Sequence, residues 1–203
     1  MDSEAIQKAV GDILRAVGED PSREGLATTP ERVAELFSEL YSGVGVDPVT
    51  VLREAKEVPA AESERGELVA LRDISFVSLC EHHLLPFEGQ ASVVYEPGSS
   101  IVGLGTLVRV VEVTAKRPQL QERVGEMVAR ALVDSGVAKG ALVLVSAVHG
   151  CVAHRGPKQR LTTVTVASAG SLSEDSRRHD ALLLVGGEDW AGVVPTDRNC
   201  GEW

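Results

Sequence analysis

Between residues 67 and 170 the apolar pattern changes period twice, and this limits the architecture more than any other feature of the chain. Apolar and β-branched residues run from Leu68 to Ile74 and on towards Leu79, then from Gly89 to Tyr95, where Pro97-Gly98 supplies a turn. The spacing next becomes helical. Leu107, Val110, Val111 and Thr114 mark one helix, which Arg117-Pro118 breaks, and Leu120, Val124, Met127, Val128, Ala131 and Leu132 mark a longer one ending near Gly136. Strands return over Ala141 to Val148 and Leu161 to Ala167. Two helices between two strand pairs predict an α+β fold, β-β-α-α-β-β, with an antiparallel sheet and helices on one face.

A helical arm precedes this unit. Ile6, Val10, Ile13, Leu14 and Val17 share a helical face, and Gly18 follows where a left-handed cap sits, so a helix is predicted over about 4–17. Thr29-Pro30 reads as an N-cap followed by proline at the first helical position, and Val33, Leu36, Phe37, Leu40 and Tyr41 form the apolar face behind it. Residues 44–66 are polar and acidic without a clear period and read as a linker. The expected division is therefore a helical arm and linker over 1–66, a main domain over 67–170 and a partly flexible tail over 171–203. The tail holds one short helix, about 176–185.

Composition removes several functions. Hydrophobic residues make up 43% and charged residues 25%, values of an ordinary globular protein rather than a disordered or fibrous one. The longest apolar runs, Ala141 to Val145 and Ala181 to Val185, fall far short of the ~20 residues that cross a bilayer, so no membrane partner is expected. Met1-Asp2-Ser3-Glu4 lacks the basic and apolar regions of a secretory signal, which predicts a cytoplasmic protein. Twenty basic against thirty acidic residues leave a net charge of −10, and aromatic residues are only 3%; both argue against a nucleic-acid partner. Three cysteines in a chain of this kind suggest metal binding or packing before a disulfide framework.

The candidate chemistry lies at two predicted strand ends. In Cys80-Glu81-His82-His83 the Cys-x-x-His spacing lets one thiolate and one imidazole reach the same metal, and His149-Gly150-Cys151 offers a second thiolate. Cys80, His83 and Cys151 would leave zinc one open position, the mark of a catalytic site, where bound water is acidified. The alternative for each is plain burial, since cysteine packs as a small apolar residue and histidine often satisfies a core hydrogen bond. His82 and His149 lie beside these ligands and suit proton transfer near neutral pH. Glu81 is a weaker base, and His154, His179 and Cys200 read as bystanders. Arg155, Lys158, Arg160, Arg109 and Arg32 are cations that suit an anionic substrate or, individually, a solvated surface. Gln121-Glu122 opens the long helix. Glu122 there either compensates the helix dipole or, if buried, accepts two hydrogen bonds from an edge such as that of guanine.

Taken together, Cys80-Glu81-His82-His83-Leu84-Leu85-Pro86-Phe87-Glu88-Gly89, Arg117-Pro118-Gln119-Leu120-Gln121-Glu122-Arg123 and His149-Gly150-Cys151 resemble the signatures of GTP cyclohydrolase I. Gly18 to Leu26 and Thr29 to Val33 are similar to that family's N-terminal region, so the resemblance spans about 5–170. It implies the tunnelling fold, whose core order is the one read above. It implies a Zn2+ enzyme that opens the imidazole ring of a small-molecule purine nucleotide, GTP, releases formate and recloses the product to 7,8-dihydroneopterin triphosphate. By the same resemblance Cys80, His83 and Cys151 hold zinc and His82 and His149 move protons. Glu122, with Gln121, recognises guanine, and Arg32, Arg109 and Arg155 grip the triphosphate. A homo-oligomeric ring, a decamer with sites between subunits, is implied too.

The chain departs from the family pattern at Gly103-Leu104-Gly105-Thr106, where Gly-Leu-Ser-Lys is usual. Losing a charge-assisted phosphate contact costs about 1.5–3 kcal/mol, so a guanine derivative with fewer phosphates stands as the alternative substrate, and a catalytically silent nucleotide-binding paralogue as a further one. Ala167-Ser168 and Arg178-His179-Asp180-Ala181 also differ from the usual pattern.

Overall fold

The α+β core follows from where the long apolar runs can find cover. The structure, a computed structural model, describes residues 1–55, 58–59 and 66–186. In chain order the elements are α1 (Ser3–Ala16), α2 (Thr29–Leu40), α3 (Pro48–Arg53), β1 (Val58–Pro59), β2 (Val69–Cys80), β3 (Pro86–Pro97) and β4 (Ser100–Ile101). There follow α4 (Leu104–Ala115), β5 (Pro118–Gln119), α5 (Gln121–Asp134), β6 (Ala138–His149), α6 (Gly150–Ala153), β7 (Thr162–Gly170), a 3-10 turn over Ser171–Ser173 and α7 (Asp175–Val185). β5-β2-β3-β6-β7 form one sheet, antiparallel except for the short parallel β2–β5 pair. β1 and β4 pair separately.

Central strands β3 and β6 are apolar on both faces because both faces are covered. Val93, Tyr95, Ala141, Val143 and Val145 point into a core closed by α3, α4 and α5, which supply Leu52, Val110, Val111, Val124, Val128 and Leu132. Val94, Leu142 and Leu144 point the other way, onto Leu172, Ala181 and Val185. The two long helices thus lie on one face as expected, while α7, in the segment read as a tail, seals part of the other. Tyr95 is buried without stranding its hydroxyl, which accepts the Val102 N–H at 3.1 Å.

Two local expectations are corrected. The segment read as linker contains α3, whose Asp47 carboxylate accepts the N–H groups of Val49 and Thr50 while Pro48 sits in the first turn. Periodicity missed it because six residues are too few for a repeat, though Asp-Pro was the available signal. Likewise the N-cap of α2 is Thr28, not Thr29, which is already the first helical residue, and no side chain caps that end. Gly18 does take the left-handed conformation expected after α1, with φ +91°. Among the described residues no helix is long and apolar enough to cross a membrane. Cys200 and the polar C-terminal end lie outside the described residues.

Candidate active site

Strand register assembles the site. Leu79 of β2 pairs with Pro86 of β3, so residues 81–85 form the turn of that hairpin, and Phe87 of β3 lies opposite His149 at the end of β6. The chain leaves β6 into α6, carrying Cys151 back over the hairpin turn. Gly150 permits this close passage, since a Cβ there would stand 2.7 Å from the Pro86 carbonyl oxygen. The turn itself is held by Leu84 N–H on Cys80 O at 2.8 Å and Cys80 N–H on Leu85 O at 2.9 Å, with Leu84 in the left-handed region at φ 53°. Cys80 also pairs with Gln119 of β5, and Glu81 N–H donates to Gln119 O at 3.0 Å, which brings the start of α5 alongside.

The result is a three-donor cluster. The ligand atoms of Cys80, His83 and Cys151, residues separated by up to 71 positions, all lie within 4.8 Å of one another. Neither cysteine is in a disulfide. Two thiols and an imidazole make a donor set suited to a borderline divalent cation, and three of them leave room for a fourth ligand. Burial pushes the Cys151 thiol above its ordinary pKa and the neighbouring Cys80 adds to the effect; a cation held by this group would supply the opposing charge. Arg155 Nη1 lies 2.7 Å from His83 Nε2. A neutral imidazole has one lone pair, so His83 could hold a metal only by giving up this contact, which would free the guanidinium.

His149 stacks on Phe87, with ring centroids 4.7 Å apart and planes 5° from parallel. Its Nε2 is 2.7 Å from Gln121 Oε1. Burial pulls the His149 pKa below the ordinary histidine value, and the nearby Glu122 carboxylate opposes that shift. His82 is exposed, its ring 6.2 Å from that of His83.

Two linked sets therefore lie at this end of the sheet: Cys80, His83 and Cys151 with Arg155, and His149 with Gln121 and the charge of Glu122. Glu122 is exposed in this chain rather than buried. Gln121 is the reverse: its amide is buried and bonded within the protein. Arg32 is exposed on α2, which packs chiefly on α1, and Arg109 is spent on Glu112 at 2.9 Å. Neither has a hydrogen bond or ion pair to the cluster among the described residues. His154 and His179 are exposed, as expected of bystanders. Glu81 faces Arg123 at 2.8 Å, a contact across 42 residues that no local spacing announces. Phe87 was equally illegible as a site residue, because its role depends on standing opposite His149.

Fold and cluster together define a class: an α+β protein with a two-thiol, one-imidazole group able to hold a metal, and a further histidine two residues before its second cysteine. The model of the family described as GTP cyclohydrolase I matches residues 6–185, and the chain belongs to that family. A GTP cyclohydrolase 1 of Leifsonia xyli is 48% identical over 186 residues, covering 91% of this chain and 96% of its own length. Proteins of the same name from Halalkalibacterium halodurans and Clostridioides difficile are 45% and 44% identical, covering 92% and 91% of this chain and 98% and 97% of theirs.

Proposed function

We propose that this protein is a zinc-dependent hydrolase that opens the imidazole ring of the guanine in GTP, releases formate and recloses the product to 7,8-dihydroneopterin triphosphate. One observation carries the reading: in a chain of this family, Cys80, His83 and Cys151 converge to within 4.8 Å beside His149. Those three residues would hold the zinc, which would supply Lewis-acid chemistry and acidify water at neutral pH.

The chain's own groups do the rest. His149, kept neutral by burial, accepts a proton from the reacting centre and returns it to a ring nitrogen, while exposed His82 exchanges protons with solvent on the other side. Glu122, exposed and without a hydrogen bond or ion pair among the described residues, accepts the paired N–H donors of the guanine edge, whereas the Gln121 amide has no donor to spare. Arg155, released from His83 when the metal is held, turns to the triphosphate.

Arg32 and Arg109 reach a triphosphate only if a neighbouring copy supplies them, which supports a homo-oligomeric ring, decameric by resemblance. The free thiols of Cys80 and Cys151 suit a reducing cytoplasm. The residue ranges 1–66, 67–170 and 171–203 remain the proposed division into arm, catalytic domain and tail, with α7 belonging functionally to the sheet it covers.

A second reading, a guanine substrate with fewer phosphates, is favoured by one feature: α4 begins at Leu104 with Gly105 exposed and no side-chain cap. Formate release by the zinc-loaded protein, followed with the ultraviolet absorbance of a pterin, distinguishes these. Formate and pterin from GTP, with at least tenfold preference over GMP and guanosine, are expected. Preference for GMP would overturn the triphosphate assignment, and zinc and nucleotide binding without formate would indicate a silent paralogue.

A further inference from the structure

Gln121 is only 1% exposed, among the most buried polar side chains of the molecule, yet it is not a metal donor and does not cap the helix it begins. Its amide reaches instead to the β6–β7 pair. Nε2 donates to the Val145 carbonyl at 3.0 Å and to the Thr163 carbonyl at 2.9 Å, with Thr165 Oγ1 at 3.3 Å. Those two carbonyls decide which end of the amide is which. A carbonyl oxygen only accepts, so the group facing them is the NH2; turning the amide over would bury Oε1 against two other acceptors. Oε1 therefore faces His149, and it too only accepts. It follows that His149 Nε2 carries a hydrogen and that the neutral ring keeps its lone pair on Nδ1. Phe87, stacked flat on the imidazole, holds the ring plane in which this bond is made.

We propose that Gln121 is a positioning residue that fixes His149 as the Nε2–H tautomer, making Nδ1 the one atom through which this imidazole accepts and returns a proton. As regards the reaction served, this rests on the function proposed above. The transfer balances: a proton from the reacting centre adds to the Nδ1 lone pair, both ring nitrogens then carry hydrogen, and Nε2–H still donates to Gln121. Return of the proton from Nδ1 restores the neutral ring. None leaves through Nε2, because the amide oxygen there stays an acceptor in both states. The sequence places Gln121 beside Glu122 as if both met the substrate; the hydrogen bonds give the two neighbours different tasks.

The test is nitrogen NMR of the full, zinc-loaded chain labelled with 15N in its imidazoles. The chain has five histidines, so the spectrum of His149→Asn assigns the His149 signals. The expected pattern is an unprotonated Nδ1 and a protonated Nε2; a protonated Nδ1, or shifts averaged between tautomers, overturns the proposal. Gln121→Met keeps the volume and removes the acceptor. Its His149 shifts should become averaged, and kcat should fall about ten- to a hundredfold with KM for GTP changed less than about twofold. A raised KM at unchanged kcat would instead mean direct contact with substrate and would overturn it. Should Gln121→Met fail to fold, the wild-type spectrum alone decides. Absence of GTP turnover with the expected tautomer present would sink the proposed reaction and still support the assignment of the ring.

Discussion

The sheet and the N-terminal arm carry similar apolar patterns and end in different states. In β3 and β6, Val93, Val94, Tyr95, Ala141, Leu142, Val143 and Val145 are all fully buried, because helices cover both faces. In the arm, α1 and α2 bury one residue each, Gly11 and Ala34, while Ile13 remains 61% and Leu36 49% exposed. The two arm helices pack chiefly on each other, and α2 adds only a slight contact with β2. An amphipathic stripe therefore specifies that a face will be buried without specifying by what. The Cys80, His83 and Cys151 cluster sits at the end of the covered central strands, where register fixes it; the arm's open face is the one that the proposed ring would cover.

The largest effects belong to the covered end. Cys151→Ala should lose zinc and formate release together, whereas His82→Ala should keep the metal and lose about 10²–10⁴ in kcat. Elemental analysis beside the formate assay checks both, and metal retained by Cys151→Ala would break the cluster as drawn. Next comes the contrast in packing. Leu132→Ala, at a site with no exposure, should cost about 2–5 kcal/mol in denaturant unfolding. Leu36→Ala should stay within about 0.5 kcal/mol for the isolated chain and act on assembly mass instead. Equal losses at the two positions would erase the comparison.

The smallest effect concerns how α7 is held to the sheet. Burial pushes the Glu96 carboxyl up, but the Ser171 hydroxyl, Arg177 and Lys139 outweigh it and leave its pKa below the ordinary glutamate value of 4.5. The folded-state value is thus below the unfolded one. The carboxylate's contribution, about 1–2 kcal/mol from charge-assisted bonds, is present above pH 4.5 and lost as pH falls through the folded value. Unfolding of Glu96→Gln and wild type should therefore differ at neutral pH and converge in acid. A gap that widens on acidification would contradict the assignment.

Much of this was legible because it is written in local period. The strand and helix order of the core, the left-handed Gly18 and the Cys-x-x-His turn all follow from residues within a few positions of one another. α3 escaped because its signal, Asp47-Pro48, lies in six residues of helix rather than in a stripe. The cover that α7 gives the second face escaped because a short helix in a polar segment does not say which surface it meets. Whether Glu122 compensates the helix dipole or is buried was left open by the sequence; the chain alone leaves it exposed, since burial of a helix's first turn depends on neighbours far away in sequence.

By itself, then, the sequence determined the long elements of arm and core, their α+β order, the donor set Cys80, His83 and Cys151, and the family to which the chain belongs. Only the tertiary structure decided that Phe87 stands opposite His149, that Gln121 spends its amide on Val145, Thr163 and that histidine, and that Arg109 is paired with Glu112. The reason is physical. Period and turn chemistry act between neighbours along the chain, whereas hydrogen-bond partners and buried neighbours are chosen by strand register, which joins residues tens of positions apart.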